Sequence, residues 1–183
     1  MKKLLCTFVC LFVILATSAR AAVTDAEAGG FTSVNEVIID SDVEVSWRAA
    51  INDVGSWWSS DHTISGDASR LSITAVPQGC FCEDLGGRAG VVHLVVSMVS
   101  PGVVIRLTGG LGPLGLMGVN GNMTWEFEAL EDTTKVSFTY AVGGYRPGGL
   151  DTIAEPVDSV IGEALSRLKS YVETGDPETA DFD

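Results

Sequence analysis

Apolar residues recur at three- and four-residue steps from Gly149 to Glu173, near the C-terminal end of the chain. This spacing predicts one amphipathic helix with a broad apolar face, because about 3.6 residues complete a helical turn. The opposite face is polar, and its cations Arg167 and Lys169 lie near the helix end, where positive charge suits the helix dipole. A helix of about 24 residues is roughly 36 Å long. It needs an equally broad apolar partner to cover its face.

Shorter segments before this helix alternate apolar and polar residues, which is typical of strands with one buried face. The alternation is clearest in two segments, where Met123, Trp125 and Phe127 share one face and Val136 and Phe138 share another. Glycine, proline and acidic turns separate the segments, as in antiparallel meanders. Seven strands are predicted, at 31–40, 71–76, 80–85, 91–99, 103–108, 122–130 and 135–142.

Two short helices are expected between the first and second strands. Apolar residues from Val43 to Val54 repeat at helical spacing, and Asn52 to Trp58 contains a break followed by a second helical turn. Together the elements predict an α+β domain in which a curved antiparallel sheet wraps around the long C-terminal helix.

The first 21 residues have the pattern of a secretory signal peptide. Two lysines precede an apolar run that is too short to span a membrane comfortably, and an A-R-A cleavage site ends at Ala21. The protein is therefore expected to be secreted or periplasmic, with no stable membrane anchor after cleavage; an uncleaved anchor is the alternative. The expected divisions are a signal peptide at 1–21, a flexible lead-in at 22–30, a folded domain at 31–173 and an acidic disordered tail at 174–183.

The chain is strongly acidic, with 24 acidic and 11 basic residues and a formal net charge of −13. Cleavage after Ala21 would remove three of the basic residues and no acid, so the charge would become more negative still. Nucleic acids and anionic membrane surfaces both select for lysine and arginine. Neither is an expected partner, and the sequence does not determine the oligomeric state.

Cys80 and Cys82 are the two cysteines left after signal cleavage, in a compartment that permits disulfides. In a regular strand their Cα atoms are about 6.5–7 Å apart, at the edge of disulfide reach. Three states stay open: half-buried free thiols as the first expectation, then a disulfide, then a zinc site completed by His62 or His93. No cofactor is expected, because no nucleotide- or phosphate-binding motif occurs.

His62 and His93 are the only histidines of the chain. His62 lies in a polar loop, whereas His93 lies inside the apolar strand VVHLVVSMV. With Glu83, either histidine is a candidate acid or base, although no nucleophile motif accompanies them. A structural histidine with satisfied hydrogen bonds is the more common case.

A glycine-rich segment at 109–121 carries several large apolar residues. It lacks the lysine and hydroxyl residues of a phosphate-binding loop. Two roles fit it equally: a mobile lid whose Leu111, Leu114 and Met117 touch a ligand, or a long connection whose leucines plug the end of the sheet. Aromatic residues are common around small-molecule sites, which makes candidates of Trp57, Trp58, Trp125, Tyr140 and Tyr145.

The order of the elements resembles the helix-grip fold of the START and polyketide-cyclase (SRPBCC) superfamily, and especially bacterial proteins similar to the activator of the Hsp90 ATPase. The resemblance covers residues 31–171. It rests on Asp53-Val54 before Trp57-Trp58, on Pro101-Gly102 and Gly112-Pro113-Leu114, on YAVGGY at 140–145 and on LSRLK at 165–169.

The resemblance implies a seven-stranded sheet that grips the C-terminal helix around a deep, mostly apolar cavity. Members of the superfamily bind lipids, sterols, polyketides and other hydrophobic molecules, and some catalyse cyclisation or dehydration. The resemblance transfers no catalytic set, because the family shares none that matches this chain.

The sequence thus predicts a protein that binds a small hydrophobic molecule between the sheet and the C-terminal helix. One alternative is a cyclase or dehydratase that uses His62 or His93 with Glu83. Another is a chaperone-like interaction module with a collapsed cavity. The candidate ligand-binding residues are Trp57, Trp58, His62, His93, Leu111, Leu114, Met117, Trp125, Tyr140 and Tyr145.

Overall fold

The computed structural model describes residues 20–180. The predicted signal peptide therefore lies outside the described residues, apart from its last two positions. Among residues 20–180, no helix is long and apolar enough to cross a membrane.

Eight antiparallel strands form one sheet, in the spatial order β1-β2-β8-β7-β6-β5-β4-β3. Within residues 20–180, three α-helices accompany the sheet, and two of them follow β2 as predicted. The strands are β1 Arg20–Glu27, β2 Gly30–Ile39, β3 Leu71–Ile73, β4 Cys80–Gly86, β5 Ala89–Ser100, β6 Val104–Gly109, β7 Gly118–Ala129 and β8 Thr134–Tyr145; the helices are α1 Val43–Asn52, α2 Val54–Trp57 and α3 Ala154–Thr174.

The sheet has one strand more than predicted, because β1 occupies the segment that was expected to be a flexible lead-in. β1 lies at the edge of the sheet, and residues 24–27 are exposed to solvent. An edge strand is held by main-chain hydrogen bonds to its single neighbour, so small and acidic residues suit it as well as apolar ones do. A prediction based on apolar alternation misses such a strand.

The long C-terminal helix is confirmed, with its apolar face against the sheet. A short 3-10 turn at Asp151–Ile153 precedes α3, and Gly175 ends the helix in the left-handed conformation with a φ of 80°. This is the usual glycine ending of an α-helix. The residues of α3 that are fully buried include Ile161, Leu165 and Leu168.

The tail after α3 is ordered as far as residue 180, contrary to the predicted disorder, and its last three residues lie outside the described range. Pro177–Thr179 form a 3-10 turn against the helix. Glu178 pairs with Arg167, whose side chain is only 9% exposed. The sequence analysis assigned Arg167 to the polar face of the helix, whereas the structure buries its guanidinium. The buried guanidinium binds the acidic tail through Glu178.

Candidate functional site

Five aromatic rings meet between the sheet and the end of α2. We call them the aromatic cluster: Trp57, Trp58, Phe81, Trp125 and Phe138. Trp125 stacks on Phe138 with ring centroids 4.3 Å apart, and Trp57 lies 6.0 Å from Trp125. Phe81 connects the two halves, at 5.3 Å from Trp58 and 6.4 Å from Trp125.

Hydrogen bonds hold Trp57, the last residue of α2, and the following Trp58 in place. The indole of Trp57 donates to the carbonyl of Ala49 at 3.1 Å, and the indole of Trp58 donates to the carbonyl of His62 at 3.3 Å. The carbonyl of Trp57 in turn accepts from Arg167 of α3 at 2.9 Å. α2 is thereby fixed between α1 and α3, with both rings turned toward the sheet.

The rings pack against one another and do not stand apart around an open space. Trp57, Trp125 and Tyr140 are each 0% exposed, so no part of their surface reaches water. In this conformation these three predicted ligand contacts belong to the packed interior. A molecule that binds among them must first separate rings that are now in contact.

Glu83 and His93 form a buried pair beside the aromatic cluster. Oε2 of Glu83 lies 2.9 Å from Nε2 of His93, and the two side chains are 0% and 4% exposed. The same carboxylate accepts hydrogen bonds from the main-chain amides of Ile64 and Ser65. Burial by itself raises the pKa of Glu83, but the hydrogen bonds from Ser65, Ile64 and His93 outweigh it and lower that pKa to about 2.

A β-bulge turns His93 toward the interior. Phe81 pairs with Leu94 and Cys82 pairs with Val92, so His93 has no partner on β4. The extra residue lets His93 and Leu94 face inward together, although strict alternation would send one of them outward. The imidazole therefore lies 5.7 Å from the Phe81 ring, centroid to centroid. Its Nδ1 is buried and has no hydrogen-bond partner among the described residues.

His62 does not join this pair. Its Nε2 lies 2.9 Å from Oε2 of Glu163 on α3, and the two side chains are 30% and 29% exposed. The structure therefore joins Glu83 to one of the two predicted histidines and places the other at the surface.

Cys80 and Cys82 form a disulfide, which resolves the three states that the sequence left open. Their Cα atoms are 5.4 Å apart, closer than in a regular strand, where the register of β4 with β5 shifts. The sequence analysis placed the two cysteines at the edge of disulfide distance because it assumed the spacing of a regular strand. The first expectation, that Cys80 and Cys82 are free thiols, is wrong. Because each sulfur is bonded to the other, neither is a thiolate ligand for zinc. Nowhere between residues 20 and 180 do three or more histidine, cysteine or acidic side chains form a group suited to a metal ion.

The glycine-rich segment connects β6 to β7 and packs partly on the core. Its last glycines belong to β7, and a 3-10 turn at Gly112–Leu116 remains between β6 and β7. Leu114 is 4% exposed and plugs the sheet end, whereas Leu116 is 92% exposed. Tyr140 fastens the turn, since its hydroxyl donates to the carbonyl of Gly109 at 2.9 Å and accepts from the amide of Leu111 at 3.0 Å.

The other candidates of this region lie in different environments. Leu111 and Met117 are half-buried and pack on the core. Tyr145 is 74% exposed at the end of β8, so it does not face the aromatic cluster from the interior.

A buried polar group on β2 escaped the sequence analysis. Ser33 donates to Asp158 of α3, and the amide nitrogen of Asn35 donates to the same carboxylate oxygen at 3.0 Å. Within residues 20–180, nothing hydrogen-bonds the buried Oδ1 of Asn35 or the buried Nε1 of Trp125. Asn35 pairs across the sheet with Phe138, which pairs with Trp125, so the two unpaired groups flank one ring. Two polar residues on the inward face of an apolar strand were the signal available in the sequence.

A separate cleft of about 560 Å³ lies between β1 and the start of α3. Its lining includes the carboxylates of Asp25, Asp151 and Glu155. It is polar and acidic, unlike the apolar cavity that the sequence predicts, and it lies away from the aromatic cluster.

Comparison with known proteins supports the fold. No family model and no curated protein matches the chain. Among solved structures, a conserved protein of unknown function from Enterococcus faecalis (EF2215) matches with a TM-score of 0.60 at 15% identity, over 89% of this chain and 82% of that one. CalU16 from Micromonospora echinospora matches with a TM-score of 0.58 at 14% identity, over 88% and 87%.

The Aha1 dimer structure from Colwellia psychrerythraea matches with a TM-score of 0.56 at 17% identity, over 79% of this chain and 97% of that one. CalU16 and Aha1 are proteins of the polyketide-cyclase (SRPBCC) type. The predicted resemblance is therefore confirmed at the level of the fold, with eight strands in place of seven.

Proposed function

We propose that this protein binds a small, largely hydrophobic molecule between the sheet and α3, at the aromatic cluster. The observation that carries the proposal is the set of buried polar atoms there that the described protein groups leave unpaired: Oδ1 of Asn35, Nε1 of Trp125 and Nδ1 of His93. Buried polar groups in folded proteins are nearly always hydrogen-bonded. Apolar walls with a few well-placed polar groups are typical of small-molecule sites.

Binding at this place requires movement, because the rings are in contact. The turn at Gly112–Leu116 is the element proposed to move, since it covers the sheet end and the hydroxyl of Tyr140 bonds the residues that lead into it. Burial of a CH₂ group contributes about 0.8 kcal/mol. A ligand must replace the ring contacts that it breaks. The free energy of binding therefore depends on how much apolar area the ligand buries.

We also propose that the protein acts outside the cytoplasm, after cleavage of the predicted signal peptide near Ala21. The Cys80–Cys82 disulfide supports this location, because disulfides persist mainly in oxidising compartments. The proposal does not depend on the ligand.

Native mass spectrometry of the protein purified from its own compartment tests the binding proposal directly. We expect a native mass above that of the chain, and the excess should disappear on denaturation. A native mass equal to that of the chain would count against the proposal and favour an interaction module.

Tryptophan fluorescence provides a matched control for the position of the site. The bound molecule should quench wild-type emission, and Trp125→Phe should lose much of that response. Trp47→Phe should keep it, because Trp47 packs against Phe127, outside the aromatic cluster. Equal responses from the two variants would place the molecule elsewhere.

The Glu83–His93 pair favours an enzyme as a second candidate, of the cyclase or dehydratase type. Glu83 has a pKa of about 2 and accepts hydrogen bonds at both carboxylate oxygens, so it is not the proton donor. In such an enzyme His93 would transfer the proton and Glu83 would orient the ring. His93→Ala should then abolish conversion of the molecule that co-purifies, whereas in a carrier it should only weaken affinity.

A further inference from the structure

We infer that the ligand of this site carries a hydroxyl group, or another hydrogen-bond donor, that binds Nδ1 of His93. This inference rests on the proposed function and adds the chemical class of the ligand. Four observations carry it: the Glu83–His93 contact, the fixed position of Glu83, the burial of Nδ1 and the neighbouring ring of Phe81.

The proton in the contact between Glu83 and His93 belongs to the histidine. An ionised carboxylate accepts hydrogen bonds and cannot donate one. Glu83 has a strongly lowered pKa, and its oxygens accept from two main-chain amides. The 2.9 Å contact is therefore a hydrogen bond from Nε2–H of His93 to Oε2 of Glu83. In the neutral ring this leaves a lone pair at Nδ1, which accepts a hydrogen bond.

Glu83 cannot easily turn away from this arrangement. The amides of Ile64 and Ser65 belong to the loop that follows Trp58, and they donate to Oε2 and Oε1 of the carboxylate. The loop is in turn fixed by the indole of Trp58, which donates to the carbonyl of His62. Glu83 thus acts as a positioning residue, because it determines which nitrogen of His93 is free to accept.

The free nitrogen belongs to a ring that packs beside the aromatic cluster. His93 packs 5.7 Å from Phe81, and Phe81 contacts both Trp58 and Trp125. Aromatic ligands pack favourably in offset or edge-to-face contact with such rings. A hydroxyl on the rim of such a ligand would supply the hydrogen that Nδ1 lacks from the described protein groups.

A purely structural histidine would be expected to have a partner at each nitrogen, because an unpaired buried polar atom destabilises the fold. The bulge that turns His93 inward adds to the argument, since bulges often re-aim side chains beside functional sites.

Nitrogen-15 NMR of the histidine rings tests the tautomer without any ligand. The chain has only two histidines, so His62→Gln assigns both sets of signals. We expect His93 to carry its proton on Nε2 and to show an unprotonated Nδ1, and Glu83→Gln to perturb this pattern. A proton on Nδ1 of the wild-type ring would overturn the inference.

Three matched probes test the class of ligand: 2-naphthol, 2-methylnaphthalene and 2-naphthoate, titrated near neutral pH with tryptophan fluorescence as the readout. A net hydrogen bond is worth about 1 kcal/mol, so the wild type should bind the naphthol roughly fivefold more tightly than the methyl analogue. His93→Phe should abolish this preference but still bind both probes. His62→Gln should retain the preference, because His62 lies at the surface beside Glu163.

The outcomes separate this inference from the proposed function. Equal affinity for the naphthol and the methyl analogue would overturn the hydroxyl assignment and leave hydrophobic binding intact. Tightest binding of the naphthoate would also overturn it, in favour of a charged imidazole that pairs with an anion. If none of the three probes binds, both the inference and the hydrophobic-binding proposal fail.

Discussion

The Nε atom of Arg167, in the middle of α3, donates to the main-chain carbonyl of Trp57 at 2.9 Å, across 110 residues of sequence. The same guanidinium pairs with Glu178 in the tail. One buried cation thus joins the long helix, Trp57 of α2 and the C-terminal segment. The position of the aromatic cluster therefore depends on a charge inside the fold as well as on apolar packing.

Replacement of Arg167 by alanine should destabilise the protein. The carbonyl of Trp57 would lose a hydrogen bond from a charged donor, at a cost of about 2 kcal/mol in the free energy of unfolding. Urea denaturation measures the change. Arg48→Ala, at an exposed position on α1, should have little effect. Equal effects of the two variants would show that the buried contact contributes nothing.

Acid should destabilise the fold through Glu83. Its pKa is about 2 in the folded protein and 4.5 in its ordinary state. A lowered folded pKa gives stability that is present above about pH 4.5 and is lost as the pH falls toward 2, by about 3 kcal/mol in total. Unfolding free energies measured over that window should fall less steeply in Glu83→Gln.

The matched control is Glu155→Gln, which removes an exposed carboxylate from α3. It should follow the wild-type slope. A Glu83→Gln profile that runs parallel to the wild type through the whole window would contradict this account of the carboxylate.

Loss of the Tyr140 hydroxyl should loosen the turn that covers the sheet end. Tyr140→Phe removes the two hydrogen bonds to Gly109 and Leu111 and should cost about 1–2 kcal/mol. The amide of Leu111 should exchange with deuterium faster, as measured by mass spectrometry of peptides. Tyr145→Phe is the control, because Tyr145 is exposed; unchanged exchange in Tyr140→Phe would mean that the hydroxyl does not hold the turn.

Removal of the disulfide should affect stability only slightly. The bond closes a loop of three residues, for which chain entropy gives about 1.6 kcal/mol. The double variant Cys80→Ser, Cys82→Ser should therefore stay folded, with a modest decrease in Tm measured by calorimetry. The denatured wild-type mass should be lower than that of the dithiol form by two hydrogens. Wild-type protein that carries both thiol hydrogens when purified from an oxidising compartment would contradict the bond.

The sequence could not tell which predicted site residues line a cavity and which fill the core, or which histidine contacts Glu83. Tyr140 and Trp125 face inward as the alternation predicts, but alternation does not say whether an inward ring lines a cavity or fills it. Their complete burial shows that they fill it in this conformation. Histidine content identified His62 and His93, yet only the folded chain shows which of them Glu83 contacts.

The sequence by itself determined the elements whose signal is a local period, namely the long α3 and the inward faces of β7 and β8. These features depend on side chains a few residues apart, so the apolar and polar pattern of the sequence predicts them. The tertiary structure alone decided where strands pair and where the pairing shifts. The edge pairing of β1, the bulge that turns His93 toward Glu83 and the burial of Arg167 all depend on contacts between distant segments, for which the periodicity of a single segment has no signal.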